Sequence, residues 1–173
     1  MEKIVIRPAG PEDAERLAHI GVATFLDSYT YDIDGAAMVA HCTRQHSPEV
    51  YAGWLASPAA SAWLAEYITT GAPIGYAVNC PPDLPIPSEP GDIELKRIYL
   101  LSRFHGSGAG EALLDAAIED ARQRGAPRLL LGTYQDNHRA VAFYEKHGFA
   151  LAGNRRFQVG DALYDDIVLA KRL

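Results

Sequence analysis

The sequence predicts one mixed α/β domain whose sheet is antiparallel in its first half and gains a parallel pair of strands in its second. Three observations lead there. Residues Trp63 to Ile68 and Pro73 to Asn79 are rich in aromatic and β-branched side chains and flank Thr70-Gly71-Ala72, the pattern of an antiparallel hairpin. Residues 93 to 134 read strand, helix, strand, and such a crossover makes its two strands run parallel. The 173 residues, 48% hydrophobic and 22% charged, suffice for one domain with a real core, so a single domain is expected over 1–173.

Taken in order, residues 3 to 7 (KIVIR) alternate as a strand, and Gly10-Pro11-Glu12-Asp13 then opens a helix, with Pro at its first position and acids in its first turn. Ala14, Leu17, Ala18, Gly21 and Phe25 continue at helical spacing as a buried stripe. Residues 27 to 47 mix acids and tyrosines with a short helix-like run around Met38, Val39 and Cys42. Ser47-Pro48-Glu49 starts another helix, leading to Tyr51, Trp54 and Leu55. After the hairpin, Cys80 to Gly91 carries five prolines and is a surface loop. Ile93 to Leu101 is a strand, Ser102 to Gly110 a glycine-rich turn, and Glu111 to Arg124 a helix stopped by Gly125. Arg128 to Tyr134 is a buried strand, Asn137 to Lys146 a short helix, and Ala162 to Ala170 a last alternating strand.

The composition narrows the function classes. Sixteen Lys and Arg against twenty-two Asp and Glu give a formal charge of -6, against nonspecific nucleic-acid binding. No apolar run approaches the roughly 20 residues of a membrane helix, and MEKIVIRPAG is charged where a signal peptide is apolar, so a cytoplasmic protein without membrane contact is expected. Cys42 and Cys80 lack CxxC spacing and read as two buried free thiols. The His41, Cys42, His46 group is not a zinc pattern, and no metal is expected. With this charge, any anionic ligand needs a local device to hold it.

That device is Arg103-Phe104-His105-Gly106-Ser107-Gly108-Ala109-Gly110, between a strand and a helix start. Glycine at every second position leaves main-chain N–H groups uncovered, and the helix start adds partial positive charge, so the turn is suited to a phosphate. The alternative is a tight turn made for packing alone. Glu111 stands where the Walker pattern needs Lys, and GxGxG late in the chain with one crossover unit does not fit a dinucleotide fold.

His105 to Gly110, followed by EALLDAAIEDARQRG, resembles the acyl-CoA pyrophosphate motif of the GNAT superfamily of N-acetyltransferases, Gln/Arg-x-x-Gly-x-Gly/Ala. Asn137-His138-Arg139-Ala140-Val141-Ala142-Phe143-Tyr144-Glu145-Lys146-His147-Gly148-Phe149 is similar to that family's second signature, and IELKRIYL resembles the spermidine/spermine acetyltransferases of bacteria. The departure is His105, where the family has Gln or Arg; Arg103 is placed to supplement it. The resemblance implies a mostly antiparallel sheet with a central splayed parallel pair flanked by helices, and acetyl-CoA as cosubstrate. The main chain of Ile98, Tyr99 and Leu100 would pair with the pantetheine arm. Arg103, His105, Gly106, Ser107, Gly108, Ala109 and Gly110 would hold the pyrophosphate, and Asn137, Ala140, Phe143 and Lys146 would border the cofactor. Asn137 is equally explained as a helix cap.

Acetyl transfer needs a neutral amine. An alkyl ammonium of pKa about 10.4 lies roughly 3.4 units from neutrality at pH 7, a cost of about 4.6 kcal/mol. Glu94, on the strand leading into the site, is the candidate base, a water chain being the alternative; its bland reading is a solvent-facing residue paired with Lys96 or Arg97. Tyr144 stands at the family's acid position, although moving a phenol proton to a thiolate is uphill by roughly 2 kcal/mol at ordinary pKa values, so hydrogen-bond donation is the safer role. As a core aromatic, Tyr144 would have no chemical role. Asp27, Tyr29, Tyr31, Asp32 and Asp34 are candidates to line a cationic acceptor site, or else form a solvated loop. The expected acceptor is a small-molecule amine such as a polyamine, with a protein N-terminus or lysine, or a non-catalytic acyl-CoA sensor, as the competing readings. A homodimer through Ala162 to Ala170 is a further expectation, although a monomer core explains that alternation equally well.

Overall fold

The computed structural model describes residues 4–173, so Lys3, the first residue of the predicted opening strand, lies outside them. Strand β1 (Ile4–Pro8) is followed by a 3-10 turn (Pro11–Asp13) and α1 (Ala14–Tyr29), α2 (Gly35–Gln45) and α3 (Pro48–Ala56). Then come β2 (Ser61–Tyr67), β3 (Ala72–Cys80), β4 (Ile93–Leu100), a second 3-10 turn (Ser102–Phe104) and α4 (Ala109–Gln123). Strand β5 (Arg128–Tyr134), α5 (His138–Lys146), β6 (Ala150–Val159) and β7 (Ala162–Arg172) complete the chain. The sheet has seven strands in the order β1-β2-β3-β4-β5-β7-β6. All neighbours are antiparallel except β4 and β5, whose strand-helix-strand connection makes them parallel.

Helices α4 and α5 cover one face of the sheet. Leu113, Leu114 and Ala117 of α4 meet Leu129 and Leu131 of β5 and Leu169 of β7. Helices α1 and α3 cover the other face, with Leu17, Ile20 and Tyr51 on Leu64, Tyr76 and Val78. A third apolar group joins α1 and α2 to the β6–β7 hairpin through Phe25, Met38, Cys42 and Val159. The caps are as local chemistry dictates: the Asp34 carboxylate accepts the Ala37 N–H at 3.0 Å, and Ser47 Oγ accepts that of Val50 at 3.4 Å.

The predicted elements meet several corrections. The helix-like run of residues 38–42 is a full helix, and Val39 lies on its outer face, 63% exposed, because Met38 and Cys42 take the inner stripe. Ile68 belongs to the exposed hairpin turn and Ala72 to the second strand. The strand β6 was not foreseen. Paired only with β7 and mostly exposed, it has little apolar alternation to show. Strand β7 is paired on both sides, by β5 and β6, so the alternation of residues 162–170 serves the monomer's own sheet, and the free edge at that end is β6. Both cysteines are buried and free.

Candidate active site

The site begins where the parallel ladder stops. Strands β4 and β5 are paired at Ile93–Leu129 and Glu94–Leu130 and then diverge, while β3 stays paired with β4 as far as Leu100. The main-chain groups of Ile98 that face β5 therefore have no strand partner, an open edge able to bind an extended ligand arm, whereas those of Tyr99, predicted to pair with such an arm too, turn to Tyr76 of β3, because bonded pairs alternate along an antiparallel ladder. His105 donates Nε2–H to the Leu100 carbonyl at 3.1 Å, which engages one main-chain group of the predicted three and fixes the turn against the strand end.

The turn itself is built by backbone conformation. Gly106 and Gly108 have φ of +86° and +89°, the left-handed region, and Gly108 caps α4 with no side chain. A Cβ at Gly106, Gly108 or Gly110 would meet nothing within 4 Å, so the concave side of the turn is open. The N–H groups of Gly106, Gly108, Gly110 and Glu111 bond to no main-chain acceptor or side chain among the described residues, whereas that of Ala109 is taken by Ser107 Oγ at 3.3 Å. Convergent free N–H groups at a helix start form an anion cradle. Arg103 lies over the Phe104 ring, its guanidinium carbon 5.1 Å from the centroid. Lys146 is exposed and meets Glu111 Oε1 at 3.4 Å, with His147 Nε2 at 3.1 Å from the same oxygen, so the one acid in the first turn of α4 faces two basic side chains.

Helix α5 brings up the second group. Asn137 caps it, its Oδ1 accepting the Ala140 N–H at 3.1 Å, which leaves the amide NH₂ for other contacts. Ala140 and Phe143 pack against the core beside α4. Tyr144 is buried, with its ring edge-on to Phe143 at 5.4 Å. Burial, and then the nearby Tyr99 phenol, push the Tyr144 phenol well above its ordinary range. Tyr99 stacks on Tyr76, and its hydroxyl lies 3.3 Å from that of Tyr29 of α1. The Tyr99 phenol, and then burial, raise Tyr29 likewise.

Glu94 is 1% exposed rather than solvent-facing. Its Oε2 accepts the Asp83 N–H at 2.7 Å, and its Oε1 meets Lys96 Nζ at 3.4 Å, so it ties the proline-rich loop to β4. Arg97, the other predicted partner, turns to the helices instead. It donates to Tyr51 Oη and the Gln45 carbonyl, both at 2.8 Å, and lies over Trp54. Among the proposed acceptor-loop residues, Asp27 accepts the N–H and hydroxyl of Ser102, Asp34 caps α2, Tyr31 is 98% exposed, and Tyr29 alone joins the tyrosine group. No spacing in the sequence links Arg155, Asp166 and Gly132, which the fold brings together. Among the described residues no helix is long and apolar enough to cross a membrane, and no three His, Cys, Asp or Glu side chains group as metal ligands.

Comparison with known proteins adds the following. The family model described as "Acetyltransferase (GNAT) family" matches residues 28–149. An uncharacterized N-acetyltransferase of Mycobacterium tuberculosis is 32% identical over 172 residues, spanning 93% of this chain and 98% of that protein. Among solved structures, the PaiA N-acetyltransferase of Thermoplasma acidophilum in complex with coenzyme A superposes with a TM-score of 0.78 at 19% identity, covering 98% of this chain and 99% of the other. A GCN5-related N-acetyltransferase of Rhodopseudomonas palustris gives 0.76 at 22% identity, covering 100% and 98%.

Proposed function

Because the chain belongs to the GNAT acetyltransferase family and is an acyltransferase, we propose that it carries the acetyl group of acetyl-CoA to the primary amine of a small cationic molecule, of which a polyamine is the type. The observation that carries this reading is the continuity of the open β4 edge at Ile98 with the four free N–H groups at the start of α4. An extended arm ending in a diphosphate fits that edge and cradle in sequence, and the coenzyme A bound to the Thermoplasma relative agrees with it. Bound there, acetyl-CoA supplies an activated acyl thioester. Gly106, Ser107, Gly108, Ala109 and Gly110 hold its diphosphate, with Arg103, His105 and Lys146 around them, while Asn137, Ala140 and Phe143 flank the arm.

Tyr144 then faces the sulfur. With its phenol raised by burial, surrender of its proton is steeper than for a free phenol, so Tyr144 stabilises the departing thiolate by donating a hydrogen bond and keeps the proton. Glu94 takes the base role only where Asp83 or Lys96 yields one of its oxygens. The acceptor's positive charge suits a chain of formal charge -6.

The test is a CoA-release screen with polyamines, amino acids, aminoglycosides and amino-terminal or lysine peptides, run beside thermal unfolding with acetyl-CoA. A raised melting temperature and turnover confined to small amines are expected. Turnover confined to peptides would replace the acceptor class. A protein indifferent to millimolar acetyl-CoA would remove the reading.

A further inference from the structure

A carboxylate outside both sequence motifs stands on β7, in an arrangement that its structural surroundings do not use up. Asp166 of β7 is opposite Tyr134 of β5 and Arg155 of β6, two strands from Tyr99 and beyond the point where β4 and β5 part. It is 5% exposed, and its Oδ2 accepts Arg155 Nη2–H at 2.7 Å, while Oδ1 bonds to none of the described residues. The Arg155 guanidinium lies flat on β5 at Gly132, where a Cβ would come within 2.5 to 3.1 Å of Nη2, Cζ and Nη1. Its Nε is buried without a partner among the described residues, and its guanidinium faces the Phe157 ring at 5.3 Å. A half-buried cation and a buried carboxylate are thus held together at a place that a glycine leaves open. The pair leaves Asp166 Oδ1 and Arg155 Nε without partners among the described residues, so its hydrogen-bonding capacity is not spent within the fold.

The Tyr29 hydroxyl lies 3.3 Å from that of Tyr99, and Asp166 stands two strands from Tyr99, on β7 beyond β5. Asp166 has a spare oxygen, whereas both oxygens of Glu94 are engaged. Burial, opposed by Arg155, raises the Asp166 carboxyl above its ordinary range, which narrows its gap to an ammonium.

Resting on the acetyl-transfer reading, we propose that Asp166 contacts the acceptor's ammonium and takes its proton, with Arg155 as the residue that positions it. One N–H proton passes to Asp166 Oδ1. The freed nitrogen pair forms the C–N bond to the acetyl carbonyl carbon, the C–S bond breaks with its pair on sulfur, beside the Tyr144 hydroxyl, and the second nitrogen proton leaves to solvent, from which the thiolate is later protonated.

The experiment compares two small nucleophiles at neutral pH: 1,3-diaminopropane, a cation, and hydroxylamine, already uncharged. The wild type, D166N, E94Q and G132A are assayed for CoA release at fixed acetyl-CoA, each with its acetyl-CoA melting shift. D166N is expected to lose about a hundredfold with the diamine and less than threefold with hydroxylamine, its melting shift intact. G132A, whose Cβ displaces the Arg155 guanidinium, is expected to show the same selectivity at several-fold, so the proposal stands or falls on it should D166N not fold. Retention of the diamine rate within twofold in a folded D166N, equal loss with both nucleophiles, or the selective loss appearing in E94Q instead overturns the assignment. A wild type that turns over neither nucleophile, nor any amine of the screen, counts against the acetyl-transfer reading itself.

Discussion

At the scale of single residues, burial decides chemistry more than side-chain type does. Tyr144 and Glu94 were both read from sequence as reactive groups, and both are buried, with different consequences. Burial, and then the Tyr99 phenol, keep the Tyr144 phenol raised, so it is suited to give a hydrogen bond. We expect Tyr144→Phe to lower kcat about tenfold to a hundredfold while the KM for acetyl-CoA stays within twofold, as steady-state CoA release would show. Equal loss in both constants would mean that the ring serves packing. Glu94 is legible as an acid on the right strand, but its commitment to Asp83 is not, because an alternating pattern says nothing about a loop that folds back over it. Arg7 shows the same point without chemistry. It holds Asp13 and Glu66, both nearly fully buried, at 2.8 Å, and pulls both carboxyls below their usual range. Arg7→Met should cost about 3 kcal/mol in urea unfolding, at the low end for a broken buried pair because Arg16 still reaches Glu66.

At the scale of elements, the join of β4 to α4 is where sequence and structure agree most closely. A glycine that must stand at φ +89° with open space beside it, followed at once by a helix, is a local instruction that any neighbourhood would obey. Gly108→Glu strains that conformation and puts a carboxylate in the cradle; the acetyl-CoA melting shift should vanish while the unliganded melting temperature falls by only a few degrees. A shift of unchanged size would place the diphosphate elsewhere. Helix α5 and its Asn137 cap were legible for the same reason. Strand β6 was not, since its hydrogen bonds come from β7 and its side chains face mostly outward, so neither period nor composition marks it.

At the scale of the whole molecule, the ties between α1, α2, α3 and the hairpin run through buried histidines. His41 stacks on Phe25 at 4.5 Å and meets Phe157, and His46 bonds to Tyr51 Oη at 2.9 Å. Burial, with help from Arg97, holds their imidazoles down to about 4 and about 2. The unfolded chain binds their protons below the ordinary value of 6.5 and the folded chain does not, so stability falls as pH drops below 6.5. The slope is about 1.4 kcal/mol per pH unit for each histidine fully below that point. Asp13 and Glu66, held low by Arg7, lose their contribution only below about pH 4.5, whereas Asp166, raised by burial, adds stability as pH falls toward its ordinary value of 3.8. Urea midpoints at pH 7.5 and 5.5 should differ accordingly, and His46→Gln should remove about half of the difference. A midpoint flat over this range would mean that the two imidazoles charge in place.

The sequence by itself determined the parallel pair, the phosphate turn, the capped helix carrying Tyr144 and the family they belong to, because each is written in residues within a few positions of one another, where spacing sets backbone geometry directly. The tertiary structure decided that Glu94 is held under a loop, and that Asp166, Arg155 and Gly132 come together on three strands. Those relations depend on strand order and on the register of segments far apart in the chain, and desolvation, which sets their chemistry, exists only once those segments have closed over one another.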